Sequence, residues 1–573
     1  MISVAKFVIN FLQKKGIKVI PVYQGGAVMN FIDEIGKNNN LKYIVPYHEQ
    51  SLSMQVDTLA RLNGFAAGFA TSGPGATNLL TGVCSAYYDS IPCFYFTGQV
   101  GQLHLKKNRG VRQLGFQETD VIKVFKPITK YVVQINDASK VAYELEKGYH
   151  KAFEGRPGPV IFDIPFNIQK TQINLNNIKK FKIVKKNKKS ISKKKLKIKK
   201  LVNLLNKSKK PLILVGGGIK RSSQEKNFIK FAKKNNIPFV TTWMSQHLFD
   251  HNNPLYLGSI GKSGHRSANE IASKSDFIIC LGQRFAVKNI LSDFGKNAKI
   301  FAVDIDKNEL ENGLVKPNFQ LKILLQDFFK IILKEKNILK TSHIWTNYTK
   351  EVKKKLFKVF ILHKKKSERE KHISVYNFFD IISPLISKKS LIFPDAGANQ
   401  VWFFQSFLQK AGQTVINHSG HAPMGHAIPA SIGGYYSKKS KGKKIIVFIG
   451  DGGLMMNLQE LEYIKNFRIP IKIVVLNNRC LGNTKLGSIL SFNGRTHAND
   501  KKNGYHPPNI KDISKAFNIK YFEFMNGSKT SLKKKFREFV ASNNPSMLNL
   551  LLSETQNVAE LHVLNRENKK FFI

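Results

Sequence analysis

The chain has 573 residues, of which 42% are hydrophobic, so it is too long for one core and can form about three domains of ordinary size. Lysine and arginine number 92 against 38 acidic residues, a formal net charge of +54. Only 13 of the 92 are arginine, and the charge is spread over the whole chain. The excess of lysine is therefore better explained by a genome rich in adenine and thymine than by a nucleic-acid or membrane partner.

The cysteines give no sign of a metal site or a disulfide framework. Cys84, Cys93, Cys280 and Cys480 lie in or beside apolar runs, and none belongs to a CxxC pair. Buried free thiols indicate a reducing compartment. No segment approaches the roughly 20 apolar residues of a membrane span, and the first residues read as an amphipathic helix without a cleavage signal. We therefore expect a cytoplasmic protein.

Taken in chain order, the predicted elements form three blocks in which short apolar strands end in glycine turns and alternate with helix-length segments. This alternation predicts an α/β fold with three doubly wound parallel-sheet domains. The expected limits are residues 1–170, 200–345 and 371–556. Residues 171–199 are dense in lysine and almost free of acids, which predicts a solvated linker, and residues 557–573 form a polar tail.

The third block contains "VFIGDGGLMMNLQELEYIKNFRIPIKIVVLNNR", with an acid in a glycine turn after one strand and paired amides after the next. Carboxyl ends of parallel strands share one edge of a sheet, so Asp451 and Asn478 should lie close together. Carboxylate and amide oxygens suit Mg²⁺ bridging a diphosphate. A lone GDGG more often marks a plain turn, whereas GDGG after one strand and paired amides after the next are a much more specific indication of a metal–diphosphate site.

This spacing resembles the thiamin-diphosphate motif, and other segments extend the resemblance over nearly the whole chain. They are "PYHEQSLSMQVDTLARLNG", "TSGPGATNLLTG", "AYYDSIPCFYFTGQV", "FQETD", "GRPGPVIFDIP" and "APMGHAIPASIGG". Together they look like the acetolactate synthase branch of the thiamin-diphosphate enzymes. The resemblance implies a pyrimidine-binding first domain, a central FAD-type domain and a third domain that binds diphosphate and Mg²⁺.

The resemblance also assigns the cofactor site. Asp451, Asn478 and the backbone carbonyl of Cys480 would hold Mg²⁺ in the turn formed by Gly450, Gly452 and Gly453. Met424 matches the apolar residue that bends the cofactor. The chain has Ala-Pro-Met where the family often has Gly-Thr-Met, and the carbonyl of Ala422 would accept a hydrogen bond from the cofactor's amino group.

The catalytic acid implied by the family is Glu49 in "YHEQ", because proton removal from the cofactor needs a desolvated carboxyl near its pyrimidine ring. By itself, one glutamate after a strand would more often be a surface charge. Gly25, Phe116 and Gln117 match loops that face the reacting carbon and the substrate. Gln24 replaces a proline that is frequent in the family.

In the central domain the family binds a structural FAD without the GxGxxG fingerprint, which Arg221 interrupts here. Departures are heaviest in this domain, where Lys262-Ser263 replaces a Met-His pair and "RFAVK" replaces "RFDDR". The positions that correspond to flavin contacts are Arg156, Gly216, Gly217, Gly261, Gly282, Arg284 and Asp304.

The implied reaction is decarboxylation of pyruvate and transfer of its two-carbon unit to a second 2-keto acid, as in branched-chain amino acid biosynthesis. Phe166 and Gly487 stand where the family usually has a lysine and a tryptophan in the acceptor channel, which leaves the acceptor open. One alternative is a related carboligase that uses another acceptor such as a keto-sugar nucleotide. A second is a non-catalytic basic protein, which the retained Glu49, Asp451 and Asn478 disfavour.

The family further implies at least a homodimer, or a homotetramer, and a possible regulatory small subunit. Glu49 would come from one chain and Asp451 from the other, since the two residues belong to separate blocks and serve opposite ends of one cofactor. Two blocks that meet across a two-fold axis form two equivalent clefts.

Overall fold

The computed structural model describes residues 1–182, 191–287, 290, 294–358, 371–556 and 558. Three parallel sheets organise these residues into an N-terminal, a middle and a C-terminal unit, so the predicted α/β class with three parallel-sheet domains is confirmed. Of the predicted tail 557–573, all but residue 558 lies outside the described residues, as do residues 183–190 of the predicted linker.

The N-terminal unit is built on a parallel sheet with the order β4-β5-β7-β6, while β2 pairs in parallel with β3, and β1 pairs antiparallel with β8. Its strands are β1 (Ile2–Ser3), β2 (Val19–Pro21), β3 (Lys42–Ile44), β4 (Ala67–Ala70), β5 (Phe94–Gln99), β6 (Tyr131–Gln134), β7 (Val160–Pro165) and β8 (Gln172–Ile173). Its α-helices are Val4–Lys14, Met29–Gly36, Glu49–Asn63, Pro74–Thr77, Leu80–Tyr88, Val121–Phe125, Val141–Phe153 and Phe166–Lys170.

The middle unit has a six-stranded parallel sheet with the order β11-β10-β9-β12-β13-β14. Its strands are β9 (Pro211–Val215), β10 (Phe239–Thr241), β11 (Tyr256–Ser259), β12 (Phe277–Leu281), β13 (Lys299–Asp304) and β14 (Phe319–Lys322). Its α-helices are Ile191–Lys207, Gly218–Arg221, Glu225–Lys234, Trp243–Gln246, Arg266–Lys274, Lys307–Asn312, Leu325–Ile332 and His343–Leu356.

The first helix of the middle unit, Ile191–Lys207, begins inside the range predicted as a linker. Ile198, Leu201 and Leu205 recur at helical spacing and are buried in the core of this unit, while the lysines between them stay in water. The lysine-rich composition therefore describes the outer face of a packed helix over residues 191–199.

The C-terminal unit has a six-stranded parallel sheet with the order β16-β15-β17-β18-β20-β19. Its strands are β15 (Ser390–Pro394), β16 (Thr414–Val415), β17 (Lys444–Gly450), β18 (Ile471–Asn477), β19 (Lys520–Phe524) and β20 (Ser546–Leu551). Its α-helices are Val375–Ile382, Ala398–Ser406, Ala427–Tyr435, Asp451–Met456, Glu460–Asn466, Gly482–Ser491, Ile510–Ala516 and Lys529–Ala541.

The apolar runs of the C-terminal unit are buried on both faces of its sheet. In β18, Val474 and Leu476 enter one core cluster, whereas Ile473 and Val475 enter the cluster on the opposite face. Successive side chains of a strand point to opposite faces, and a parallel sheet is covered by helices on both, so the strand is apolar throughout. Its polar residues are therefore confined to the end, where Asn477 and Asn478 follow.

The N- and C-terminal units meet along the buried helix Glu49–Asn63, which packs on the helix Ala427–Tyr435. A Cβ atom at Gly433 would lie 2.9 Å from the carbonyl oxygen of Gln55, so the missing side chain lets the backbones approach. The His48 side chain accepts a hydrogen bond from the Gln50 amide at 3.0 Å and begins the helix there. This fixes Glu49 at the helix start.

A buried ion cluster lies at the same boundary. Arg61 donates to Asp57 and to Asp89 at 2.8 Å each, and His418 of the C-terminal unit lies 2.6 Å from Asp57.

Among the residues that the structure describes, none of the helices combines the length and apolar character that a membrane crossing requires. The four cysteines are free and buried, as the sequence indicates.

Candidate active site

Asp451 and Asn478 occupy neighbouring strand ends, as predicted. The strands β17 and β18 pair in parallel with Gly450 opposite Leu476, so the residues that follow them emerge at one edge of the sheet. Asp451 is 1% exposed, and burial raises its pKa to about 6. It has no ion-pair partner among the described residues, and a buried acid of this kind is suited to binding a cation.

The segment after β18 has the shape of a tight turn. Arg479 has φ 55°, in the left-handed region, and turns the chain between Asn478 and Cys480. The Asn478 amide donates to the Cys480 sulfur at 3.1 Å, which holds the amide in place. These two residues carry an amide oxygen and a backbone carbonyl on the same sheet edge as Asp451, and hard oxygen ligands of this kind suit Mg²⁺.

The glycines of the GDGG turn permit close contacts on two sides. A Cβ atom at Gly452 would lie 3.5 Å from the terminal carbon of Met424, which places the predicted wedge residue beside the turn. A Cβ atom at Gly453 would lie 2.5 Å from a carboxylate oxygen of Asp395. Gly450, which ends β17, lies beside the Asn399 side chain. The turn is therefore closed to larger residues where other groups approach it.

Asp395 holds the segment that carries Met424. Its carboxylate accepts hydrogen bonds from the amides of Gly425 and Ala427 at 2.9 Å each, and burial raises its pKa to about 7. Ala422 has φ 52°, an unusual conformation for a residue with a side chain, and it reorients the backbone just before Met424. The hydrogen bonds to Asp395 thus restrain the backbone that directly follows Met424.

The predicted acid Glu49 is buried, with 8% of its surface exposed, and accepts a hydrogen bond from the Asn78 amide at 3.0 Å. A Cβ atom at Gly75 would lie 3.5 Å from a carboxylate oxygen of Glu49. The "GPGATN" segment therefore surrounds this carboxyl at the start of its helix. Among the described residues, all the hydrogen bonds of the Glu49 side chain lie within the N-terminal unit.

Gly25 and Gln117 gather around the same segment. A Cβ atom at Gly25 would lie 2.5 Å from the Thr71 side chain, and one at Gly73 would lie 2.8 Å from the Cβ atom of Gln117. Gln117 itself has φ 62°. Phe116 is adjacent but 85% exposed, so its ring is free to contact another molecule. The four predicted catalytic positions thus form one cluster at the edge of the N-terminal sheet.

Within one chain, the start of the Glu49 helix also contacts the C-terminal unit. The Ser51 hydroxyl donates to Asn457 at 3.2 Å, and the Tyr47 amide donates to Glu460 at 2.9 Å. Asn457 in turn donates to the carbonyl of Gly425 at 3.0 Å. Burial raises the pKa of Glu460 to about 7. The start of the Glu49 helix therefore rests on the segment that follows the GDGG turn.

A separate cavity of about 330 Å³ lies where the middle unit meets the other two. Its lining includes five of the seven positions predicted to contact a flavin, namely Arg156, Gly217, Gly282, Arg284 and Asp304. Gly216 lies outside the lining, and a Cβ atom there would meet the Gly282 carbonyl oxygen at 2.1 Å, so the two turns pack closely at this glycine. Gly261 also lies outside the lining, and its carbonyl oxygen accepts a hydrogen bond from the Asn269 side-chain amide at 3.2 Å.

Part of the cavity wall is polar, and one of its polar groups is unsatisfied among the described residues. Gln283 lines it, is 4% exposed, and its amide nitrogen and oxygen have no partner among the described residues. Arg156 pairs with Glu309 at 2.5 Å, and burial raises the pKa of Asp304 to about 6. Unpaired buried amides are costly, so this wall suits a ligand with several hydrogen-bonding groups.

Several contacts in the site have no clear signal in the sequence. Asp395, Asn457 and Tyr505 approach the turn only through the tertiary fold, and the Tyr505 hydroxyl donates to Asp451 at 3.0 Å. Asn78 belongs to the quoted "TSGPGATNLLTG", and its place in that motif is its clue in the sequence. Phe166 begins a short helix, and Gly487 faces open space within the helix Gly482–Ser491.

Comparison with protein families matches three models to successive parts of the chain. The N-terminal TPP-binding domain of thiamine pyrophosphate enzymes matches residues 2–124, the central domain matches residues 198–322, and the C-terminal TPP-binding domain matches residues 395–550. Each match falls on one of the three units, and the first and last contain the Glu49 cluster and the GDGG turn. The predicted thiamin-diphosphate enzyme architecture is therefore confirmed.

The chain is also similar to acetolactate synthase large subunits over most of its length. It is 30% identical to that of Lactococcus lactis over 97% of this chain and 93% of the relative. It is 29% identical to that of Cyanidium caldarium over 98% and 95%, and 29% identical to isozyme 1 of Escherichia coli K12 over 83% and 82%. The chain belongs to the thiamin-diphosphate-dependent enzymes, in the family of the acetolactate synthase large subunits.

Proposed function

We propose that this chain decarboxylates pyruvate and transfers the two-carbon unit to a second 2-keto acid, giving an acetolactate for branched-chain amino acid biosynthesis. The observation that carries the proposal is similarity to acetolactate synthase large subunits over nearly the whole chain, including both halves of the site. These relatives do not favour the keto-sugar acceptor.

Asp451, Asn478 and the backbone carbonyl of Cys480 would hold Mg²⁺, and the turn formed by Gly450, Gly452 and Gly453 would lie against the diphosphate. The support is the common sheet edge of β17 and β18 and the lack of an ion-pair partner for Asp451 among the described residues. Met424 and the carbonyl of Ala422 would contact the rest of the cofactor, since Met424 already lies beside Gly452.

Thiamin diphosphate, when bound, supplies a stabilised carbanion that the protein's own side chains cannot provide. Glu49 would hold a proton against the pyrimidine ring, and Asn78 keeps its carboxyl oriented at 3.0 Å. Gln117 would donate a hydrogen bond to the substrate carboxylate or carbonyl. Gly25 would face the reacting carbon, and the exposed ring of Phe116 would cover the substrate and exclude water.

A flavin nucleotide is the proposed ligand of the cavity. Arg156, Arg284 and the unpaired Gln283 supply donors for phosphate and hydroxyl groups, and Gly217 and Gly282 let a ligand approach the backbone. The chain's part here is binding and packing between units. Protein purified under mild conditions should be yellow, and the flavin should stay oxidised while pyruvate is consumed.

We also propose a homodimer or homotetramer in the cytoplasm, with Glu49 of one chain serving the metal site of the other and a regulatory small subunit as a further partner. The support is that the Glu49 side chain makes its hydrogen bonds within its own unit among the described residues. Residues 1–170, 200–345 and 371–556 remain the proposed functional division, with residues 171–199 between the first two.

The test is product analysis by mass spectrometry, with pyruvate alone and then with candidate 2-keto acids. Asp451→Ala should abolish both thiamin diphosphate binding, measured by calorimetry, and product formation, while the fold is kept. Asp512→Ala is the matched control, because Asp512 is an exposed acid of the same unit. Acetolactate at the wild-type rate from Asp451→Ala, or no acetolactate from the intact cofactor-loaded enzyme, would contradict the proposal.

A further inference from the structure

A short segment of the C-terminal unit, Asn499–Tyr505, crosses both halves of the proposed metal site; we call it the clasp. At its start, the Leu481 amide donates to the carbonyl of Asn499 at 2.8 Å, and Cys480 pairs with Asp500 in an isolated antiparallel bridge. The clasp is therefore fixed to the segment that follows β18.

The clasp is held in shape by the side chain of Asp500. This carboxylate forms an ion pair with Lys485 at 3.1 Å and accepts a hydrogen bond from Asn503 at 2.6 Å. The backbone carbonyl of Asp500 accepts hydrogen bonds from the amides of Asn503 and Tyr505 at 3.0 Å each. These contacts turn the chain back so that Tyr505 faces the GDGG turn.

Tyr505 completes the link to the other strand end. Its hydroxyl donates to Oδ2 of Asp451 at 3.0 Å and lies 3.0 Å from the place where a side chain at Gly452 would begin. The ring is half-buried. One segment thus contacts the backbone after β18, which carries a proposed carbonyl ligand, and the carboxylate after β17.

We propose that Tyr505 is a positioning residue for the divalent cation bound with the cofactor's diphosphate, an inference that rests on the proposed function. The hydrogen bond to Oδ2 restrains the plane of the Asp451 carboxylate, which would hold the ion. Groups that hold a metal ligand in this way commonly change metal affinity by about 10- to 100-fold when they are removed.

The contact also permits the opposite effect, in which the hydroxyl competes with the ion for Asp451. The two effects differ in sign. If Tyr505 orients the carboxylate, its removal weakens Mg²⁺ binding; if it competes, its removal strengthens binding. Turnover at saturating Mg²⁺ and thiamin diphosphate should stay close to wild type for a positioning role, because only the binding step has lost free energy.

The experiment is a Mg²⁺ titration of Tyr505→Phe by calorimetry at a fixed, saturating concentration of thiamin diphosphate. We expect about 10- to 100-fold weaker Mg²⁺ affinity, with the melting temperature of the cofactor-free protein unchanged. Tyr521→Phe is the matched control, because it removes another tyrosine–carboxylate hydrogen bond, to Glu523, in the same unit. Unchanged or tighter Mg²⁺ binding in Tyr505→Phe would overturn the inference.

Two further variants separate the possible outcomes. If Asp451→Ala binds Mg²⁺ with wild-type affinity, the metal site itself is refuted. If Asp451→Ala loses Mg²⁺ binding while Tyr505→Phe binds as the wild type does, only the role of Tyr505 is refuted. Asp500→Asn loosens the clasp without touching Tyr505, and it should speed cofactor release after addition of EDTA. Release from Asp500→Asn at the wild-type rate would show that the clasp does not hold the site.

Discussion

Replacing Arg61 with methionine should destabilise the boundary between the N- and C-terminal units. The guanidinium donates to Asp57 and Asp89 at 2.8 Å each and to the Asn417 carbonyl at 3.2 Å, and both acids are at most 9% exposed. Methionine keeps most of the volume and removes the charge. Breaking a buried pair from one side costs about 3–5 kcal/mol, because the remaining charge is left uncompensated.

The structure sets the size and the pH dependence of this loss. Burial acts to raise the pKa of Asp89, but the Arg61 guanidinium outweighs it and holds this pKa below its ordinary value. The stability from this pair is therefore present above the ordinary aspartate pKa and is lost as the pH falls through the lowered value. In Arg61→Met the burial of Asp89 is no longer outweighed and favours its protonated form, so the loss should be larger at pH 8 than at pH 5.

Urea unfolding followed by circular dichroism at both pH values measures the effect, with the transition of the N- and C-terminal units analysed separately from that of the middle unit. A double-mutant cycle with Asp57→Asn then isolates the coupling between the two residues. A loss below about 1 kcal/mol at pH 8, or additive effects in the cycle, would refute the argument that an unpaired buried charge is responsible.

Three further outcomes are expected. Glu49→Gln should keep thiamin diphosphate bound but slow exchange of its C2 proton by about 10²- to 10⁴-fold, and exchange at the wild-type rate by NMR would contradict the assigned role. Glu49→Gln chains mixed with Asp451→Ala chains should regain activity after subunit exchange, and no recovery would mean that each chain builds its own site. Glu460→Gln should stabilise the protein above pH 7 by about 3 kcal/mol, since burial raises the Glu460 pKa from 4.5 to about 7 and each unit is worth about 1.4 kcal/mol. The folded-state penalty of Glu460 is nearly absent below pH 4.5 and complete above pH 7, so equal stability in urea at pH 4 and a gain at pH 8 are the signature, and no gain at pH 8 would count against it.

The sequence predicted the parts of the site that depend on sheet geometry. Asp451 and Asn478 follow consecutive strands, and the parallel pairing of β17 and β18 places them at one edge whatever the rest of the unit does. Residues that arrive from loops could not be predicted in this way. Tyr505 reaches Asp451 only because Asp500 turns the clasp back, and no periodic pattern marks that contact.

Composition was a less reliable guide than periodicity. Lysine dominates the residues around Ile191 and predicts a linker there, yet Ile198, Leu201 and Leu205 show the spacing of a buried helix face. In a chain with this many lysines, charge density says little about exposure of the backbone. Gly216 illustrates a different limit, since a glycine in a binding motif can serve packing between two turns as well as a ligand.

The carboxylate of Asp395 has a consequence for how this sequence can evolve. It bonds to the amides of Gly425 and Ala427 and fills the space that any side chain at position 453 would need. Glycine codons begin with two guanines, so a genome drifting toward adenine and thymine would exchange them wherever the fold allows. Position 453 admits no such exchange unless position 395 changes as well. The codons for Asp395 and Gly453 should therefore be retained together, even where such a drift replaces surface arginines with lysines.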